Sequence, residues 1–241
     1  MEVHAHAHTE RKRWTHYLWE FLMLFLAVFC GFLAENLREH QVEKEKARQY
    51  IHSLAEDLAK DTAQCAFSDS ELTVQLRSMK QMRECFRTLM NDPASTECLR
   101  TIIANSSGFT DFIYTDRTIQ QLKNAGGLRM IQDKAVADSI IAYDAVVREM
   151  LIHQGVLETQ QQNCLDAHSS MVDFLHQDSV GRKGATLEGM QLLNKDPMAI
   201  NRYFNIIDQF RKGIGGQRRL MRVIKQRATH LLEFLKEKGY H

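Results

Sequence analysis

Tyr17-Leu18-Trp19-Glu20-Phe21-Leu22-Met23-Leu24-Phe25-Leu26-Ala27-Val28-Phe29-Cys30-Gly31-Phe32-Leu33-Ala34 is the stretch on which the fold turns. Crossing a bilayer takes roughly 20 predominantly apolar residues, with about 17 as the lower limit. Residues 17–34 meet that limit when Glu20 is counted inside the run. The uninterrupted part, 21–34, is also short enough for a buried helix or a signal-peptide core. Three features favour a span. The run is apolar on every face, unlike a surface helix of a soluble protein. Trp14, Tyr17 and Trp19 gather at its N-terminal edge, where amphipathic rings settle at the headgroup level. Arg11, Lys12 and Arg13 stand just outside them and complete a membrane-interface collar. A cleaved signal peptide shares the basic start and apolar core, but Ala34 leads into Glu35-Asn36-Leu37-Arg38-Glu39 with no clean small-x-small cleavage pattern. The expectation is a transmembrane helix over 17–35, preceded by a histidine-rich, basic tail over 1–16.

Arginine and lysine near a span set its orientation. Arg11, Lys12 and Arg13 lie before it, and Arg38, Lys44, Lys46 and Arg48 after it, so the count alone does not decide. The basic tail lies close to the span and would be costly to export. The expected arrangement is single-pass in a bacterial inner membrane, with the N-terminus cytoplasmic and the C-terminal domain periplasmic.

The roughly 200 residues after the run suit one large domain or two small ones. The two prolines, Pro93 and Pro197, both follow an aspartate. Asp-Pro before an apolar-periodic segment marks a helix start, with Asp capping and Pro in the first helical position. Alternating strand patterns are nearly absent. The fold class is therefore all-α: one N-terminal transmembrane helix continuing into a helical bundle, with a stalk over 36–62 and the bundle over 63–241. Ala47, Ile51, Leu54 and Leu58 recur at helical spacing as a packing seam, and a break is expected near Thr62. Further helices are expected over about 69–90 (stripe Leu72, Leu76, Met79, Met82, Phe86, Leu89), 93–104, 116–126, 133–176, 197–212 and 216–238. Val136, Ile140, Tyr143, Val147, Met150, Leu151 and Leu157 form the expected core face of the long fifth region. Phe109 to Tyr114 reads as an aromatic connector, 181–189 as a loop, and Gly213-Ile214-Gly215-Gly216 as a helix break or hinge.

Four groups of residues are candidates for function. Glu20 is ionisable inside an apolar segment, which marks an ion path or a partner contact; at the edge of the span it can equally pair with the basic collar. Ala27, Gly31 and Ala34 share one helix face, and small residues there let another helix approach closely. His4, His6 and His8 are a weak metal candidate by composition. Arg211, Lys212, Arg218, Arg219 and Arg222 form a basic stripe open to an anionic lipid or acidic partner, or answered by the acidic stretch at Glu56, Asp57 and Asp61. The whole chain has 31 basic and 30 acidic residues, formal charge +1, so nucleic acid is not an expected partner. Cys65, Cys85, Cys98 and Cys164 are an even set that can pair in an oxidising compartment or remain four separate thiols. No G-x-S-x-G, Walker loop, H-E-x-x-H or dinucleotide fingerprint occurs, so no enzyme activity and no cofactor is indicated.

Several segments resemble a family of small, uncharacterised membrane proteins of Bacteroidota. They are Met1-Glu2-Val3-His4, Trp19-Glu20-Phe21-Leu22-Met23-Leu24-Phe25-Leu26-Ala27-Val28 and Gly31-Phe32-Leu33-Ala34-Glu35-Asn36. Tyr50-Ile51-His52-Ser53-Leu54-Ala55-Glu56-Asp57-Leu58 and the stretch from Thr118-Ile119-Gln120-Gln121-Leu122 through Gly126-Gly127-Leu128-Arg129-Met130-Ile131 belong to the same likeness. It covers the first half best and the basic C-terminus poorly. The resemblance implies a single-span helical membrane protein and brings no catalytic residues. Three functions fit these readings. They are a membrane-anchored scaffold that binds a second copy or another membrane protein, an ion-conducting assembly using Glu20, and a ligand-sensing extracytoplasmic bundle.

Overall fold

No glycine or proline interrupts the chain between Gly31 and Pro93. In the computed structural model, which describes residues 14–124, 126–175 and 190–240, that stretch lies within one helix, α1, Trp14–Asn91, of 78 residues. At 1.5 Å rise per residue it is about 115 Å long. The expected break near Thr62 and the separate helix over 69–90 are corrected by this continuity. Hydroxyls, which compete with the helix when they bond elsewhere, bond back into it: Thr62 Oγ1 donates to the Leu58 carbonyl at 2.7 Å and Thr73 Oγ1 to the Asp69 carbonyl at 2.5 Å. Residues 14–46 are exposed apart from the half-buried Glu43. From Ala47 onward one face is buried, and Ala47, Ile51, Leu54 and Leu58 lie in the bundle core. Of the stalk expected over 36–62, only 36–46 stand clear of the bundle, and the seam that follows is already part of its core. The stripe from Leu72 to Leu89 is buried as read, with Leu76 partly so.

Five more helices follow among the described residues: α2 Thr96–Ser106, α3 Arg117–Asn124, α4 Gly127–Met130, α5 Lys134–Met171 and α6 Pro197–Glu237. Asp196-Pro197 behaves as the sequence predicts, with the Asp196 carboxylate accepting the Ala199 N–H and Pro197 in the first turn. Asp92-Pro93 does not. It makes the turn between α1 and α2, with Ser95 N–H donating to the Asp92 carbonyl at 3.2 Å, and Ser95 occupies the N-cap position. Asp133 caps α5 through the Ala135 and Val136 N–H groups. Leu151, expected in the core face of α5, is 41% exposed. A pair of two-residue antiparallel strands, β1 Val172–Asp173 and β2 Gln191–Leu192, follows α5; it is too short to leave an alternating pattern. The loop read over 181–189 and His176 lie outside the described residues.

Gly213 to Gly216 neither breaks nor hinges α6, which runs through them unbroken. Two of these glycines sit where α6 meets α5. A Cβ on Gly213 would clash with Gln160 Oε1 and stand 2.7 Å from Leu157 Cδ2, and one on Gly216 would stand 3.0 Å from the His153 ring. The missing side chains let the two helices touch, and His153 Nε2 contacts the Gly213 carbonyl oxygen at 2.9 Å.

The core lies where α1, α5 and α6 pack side by side, with α2 beside α1. The connector between α2 and α3 is not helical, yet Phe109, Phe112 and Tyr114 pack on the core. Its backbone groups need partners once removed from water. Glutamines from three helices supply them: Gln75 Nε2 donates to the Gly108 carbonyl, Gln161 Nε2 to that of Ser107 at 2.8 Å and Gln217 Nε2 to that of Thr110 at 2.8 Å. Gln154 Oε1 accepts the Phe112 N–H at 3.0 Å.

Candidate functional site

The apolar part of α1 is long and apolar enough to cross a membrane, and none of it is buried by the described residues. Trp14, Tyr17 and Trp19 are exposed on it; Arg11, Lys12 and Arg13, and likewise His4, His6 and His8, lie outside the described residues. Glu20 Oε1 sits 3.1 Å from His16 Nε2, one helical turn towards the N-terminus, with both side chains about half exposed. The carboxylate is thus directed towards the N-terminal end of the apolar run. Ala27, Gly31 and Ala34 are exposed, and among the described residues nothing beyond the local helix backbone lies within 4 Å of a Cβ built on Gly31. Phe21, Phe25 and Phe29 stack in sequence at centroid distances of 6.3 and 5.9 Å. At about 100° per residue, Phe25 lies about 160° around the helix from Ala27. The helix therefore has a small-residue side and an aromatic ridge roughly opposite.

Deeper in the bundle, α1 carries two carboxylates that sequence reading treated only as part of an acidic face. Asp57 and Asp61 are each 1% exposed. Asp57 Oδ2 accepts from the Thr118 N–H at 3.2 Å and the Thr118 hydroxyl at 2.5 Å, and Oδ1 pairs with Arg117 at 3.1 Å. Asp61 accepts the Thr115 N–H at 3.0 Å and the Tyr143 hydroxyl at 2.6 Å. Burial, then the negative charge of Asp61, pushes the Tyr143 phenol far up, so it remains a donor. Beside them Asp144 pairs with Lys123 at 2.9 Å and Arg148 at 2.7 Å. The two aspartates clamp the start of α3 and the first third of α5 onto α1, and Asp144 ties α5 to α3. Their signal was in the sequence: Leu54, Asp57, Leu58, Asp61 and Cys65 share the seam's own spacing of three and four, so the aspartates point inward.

A second buried polar group joins α2, α5 and α6. His168, 3% exposed, contacts Ser106 Oγ through Nε2 at 3.1 Å and the Tyr203 hydroxyl through Nδ1 at 2.5 Å. Ser106 donates its own proton to the Ile102 carbonyl at 2.5 Å. The network thus assigns the Nε2–H tautomer, with Tyr203 donating to Nδ1. Ser106 is fully buried and its hydroxyl is already committed, so this trio holds helices together instead of presenting a nucleophile. Burial pushes His168 down to about 4, against a smaller opposing effect of a Ser106 hydrogen bond. Tyr203 also lines an open cleft of about 760 Å³ between α5 and α6, whose polar wall includes Asn163, Asp166, Ser170, Asn194 and Arg202.

Four of the five residues of the basic stripe on α6 are drawn into ion pairs. Arg218 and Arg222 reach Asp69 Oδ1 at 2.9 and 2.8 Å; Arg211 and Lys212 reach Asp208 at 2.8 and 2.9 Å. Burial acts to raise the Asp69 and Asp208 pKa values, but these hydrogen bonds and charges outweigh it and hold both carboxyls below their ordinary value. The acids that answer the stripe are thus Asp69 and Asp208; Asp57 and Asp61, expected in that role, face α3 and α5. Arg219 is exposed. Among the described residues no group of three or more His, Cys, Asp or Glu side chains is placed to hold a metal ion. Comparison with protein-family models, curated proteins and solved structures found no match to this chain.

Proposed function

We propose that this chain is a single-pass scaffold or accessory subunit of a bacterial inner membrane, with its N-terminus cytoplasmic and its bundle periplasmic. The observation that carries the reading is the unbroken course of α1 from Trp14 to Asn91. One helix presents a bare apolar segment at one end and supplies a wall of the bundle core at the other. Residues 17–35 span about 28 Å, close to the roughly 30 Å hydrocarbon thickness of a bilayer. Residues 36–46 then hold the bundle about 16 Å from the membrane surface. Such a rod fixes distance and orientation, which is what a scaffold requires. It also argues for retention of the apolar segment, since the helix leaves it without interruption. The likeness to the Bacteroidota family belongs to the same proposal.

The exposed face of Ala27, Gly31 and Ala34 is where a second copy would dock, because small residues allow close helix approach. The His16 contact directs the Glu20 carboxylate towards the N-terminal end of the span and favours this reading over an ion path. Native mass spectrometry of the full chain in lipid nanodiscs tests it. The expected result is an oligomer that Gly31→Leu reduces to monomer. A wild-type chain that is strictly monomeric in bilayers and at bilayer density would contradict it.

A further inference from the structure

The turn at 92–95 folds α2 back beside α1 and brings two cysteines together thirteen positions apart in sequence. Cys85 lies two turns before the end of α1, and Cys98 is in the first turn of α2. α1 and α2 pack against each other over this hairpin, with Cys85 seven positions before Asp92 and Cys98 three after Ser95, and each thiol lies near enough to act on the other's charge. Cys98 is 9% exposed, and Cys85 is half-buried at the rim of the same core. Cys65 and Cys164 differ: each is fully buried in another part of the core. Burial pushes Cys65 up to about 12, with the Asp61 charge adding to it, and burial alone does so for Cys164. Of the four cysteines outside the apolar run, Cys85 and Cys98 are the two that the α1–α2 hairpin draws towards each other.

We propose that Cys85 and Cys98 are a disulfide-forming pair, closed by a disulfide-bearing oxidant into a covalent staple between α1 and α2. Cys85, the more exposed, reacts first. Its sulfur gives up its proton and attacks one sulfur of the oxidant's disulfide, and the other sulfur leaves as a thiol. Cys98, deprotonated in turn, attacks Cys85 Sγ and displaces the second thiol. One oxidant disulfide is reduced to two thiols, and two cysteine thiols become one disulfide. The staple closes the hairpin at the end of the bundle far from the apolar run, about 75 Å along α1 from Ala34. Burial, then the hydrogen bond and charge of Cys98, pushes Cys85 up to about 12. Thiolate is therefore scarce at neutral pH, and uncatalysed closure is slow and accelerates as pH rises.

Trypsin makes the test direct, because Arg87 separates the two cysteines. The full chain in detergent is incubated with oxidised glutathione at pH 8.5, quenched with an alkylating agent and digested. The expected product is peptide 84–87 joined to peptide 88–100, with Cys65 and Cys164 alkylated only after denaturation. In Cys98→Ser, whose helicity is checked by circular dichroism, Cys85 accumulates as the glutathione mixed disulfide; Cys98→Ala serves if the serine variant does not fold. The oxidised wild type also melts at a higher temperature than the reduced. Recovery of 84–87 and 88–100 as separately alkylated or separately glutathionylated peptides, or of Cys85 joined to a different cysteine, would overturn the proposal.

Discussion

The Asp57 carboxylate, on α1, accepts the backbone N–H of Thr118 at 3.2 Å and so caps the first turn of α3, a helix sixty positions away. The orphan N–H groups of a helix start usually find a partner in the residue just before it. Here the partner comes from another helix, and capping becomes a tertiary contact. Asp57→Ala leaves the buried Thr118 N–H and hydroxyl unsatisfied, and we expect it to cost about 3 kcal/mol. Urea unfolding in detergent measures the loss, and amide exchange of 117–120 should accelerate more than exchange of α6. A change below about 0.5 kcal/mol would show that the clamp contributes little.

His168 makes stability depend on pH. Folded, it titrates near 4, against an ordinary 6.5, so the unfolded chain binds more protons in that interval. Stability is therefore complete above about pH 6.5 and falls as pH drops towards 4, by roughly 3 kcal/mol in all. The carboxyls of Asp69 and Asp208, held low by their arginine and lysine partners, lose their contribution at more acid pH. Unfolding curves at pH 7, 6, 5 and 4.5 should show the slope, and His168→Gln should flatten it at a lower overall stability. An identical slope in the variant would assign the effect to other groups.

The glycines of α6 separate two roles that a sequence pattern merges. Gly213→Ala drives a methyl against Leu157 and Gln160. Overpacking of this kind costs about 1–3 kcal/mol and outweighs a helix-propensity gain of about 1. Gly215 has nothing within 4 Å of an added Cβ, so Gly215→Ala should stabilise by about 0.5–1 kcal/mol. Urea midpoints that move in opposite directions confirm the distinction; both rising would show that α5 gives way freely.

These residues also mark how far the sequence could be read. The apolar run, the seam from Ala47 to Leu58, the stripe from Leu72 to Leu89 and the Asp196-Pro197 start were legible because each depends on spacing within one helix. The continuity of α1 past Thr62 and of α6 through Gly213–Gly216 was not. In α1 it is decided by hydroxyls bonding back to carbonyls one turn earlier in the same helix, and in α6 by a neighbouring helix that needs a glycine's empty side. The aspartates were visible as charge but not as inward charge, since only their register with Leu54, Leu58 and Cys65 reveals the direction. The glutamines that satisfy the connector's backbone sit on helices far from it in sequence and carry no local signal. The approach of Cys85 to Cys98 depends on the turn at Asp92-Pro93, which the local pattern reads as a helix start.

The account rests on α1 being one rod from bilayer to bundle, and a distance measured along it in a membrane tests that most directly. Leu37 and Phe67 are exposed on α1, at 66% and 63%. Nitroxides at these positions, attached through non-canonical amino acids so that the native cysteines remain, lie about 45 Å apart on a continuous helix. With the labelled chain diluted by unlabelled protein in lipid bilayers, double electron–electron resonance should give one narrow distribution near that value. A broad distribution, or a maximum well below about 45 Å, would mean that the span and the bundle are hinged, and would contradict the rigid coupling on which the scaffold reading stands.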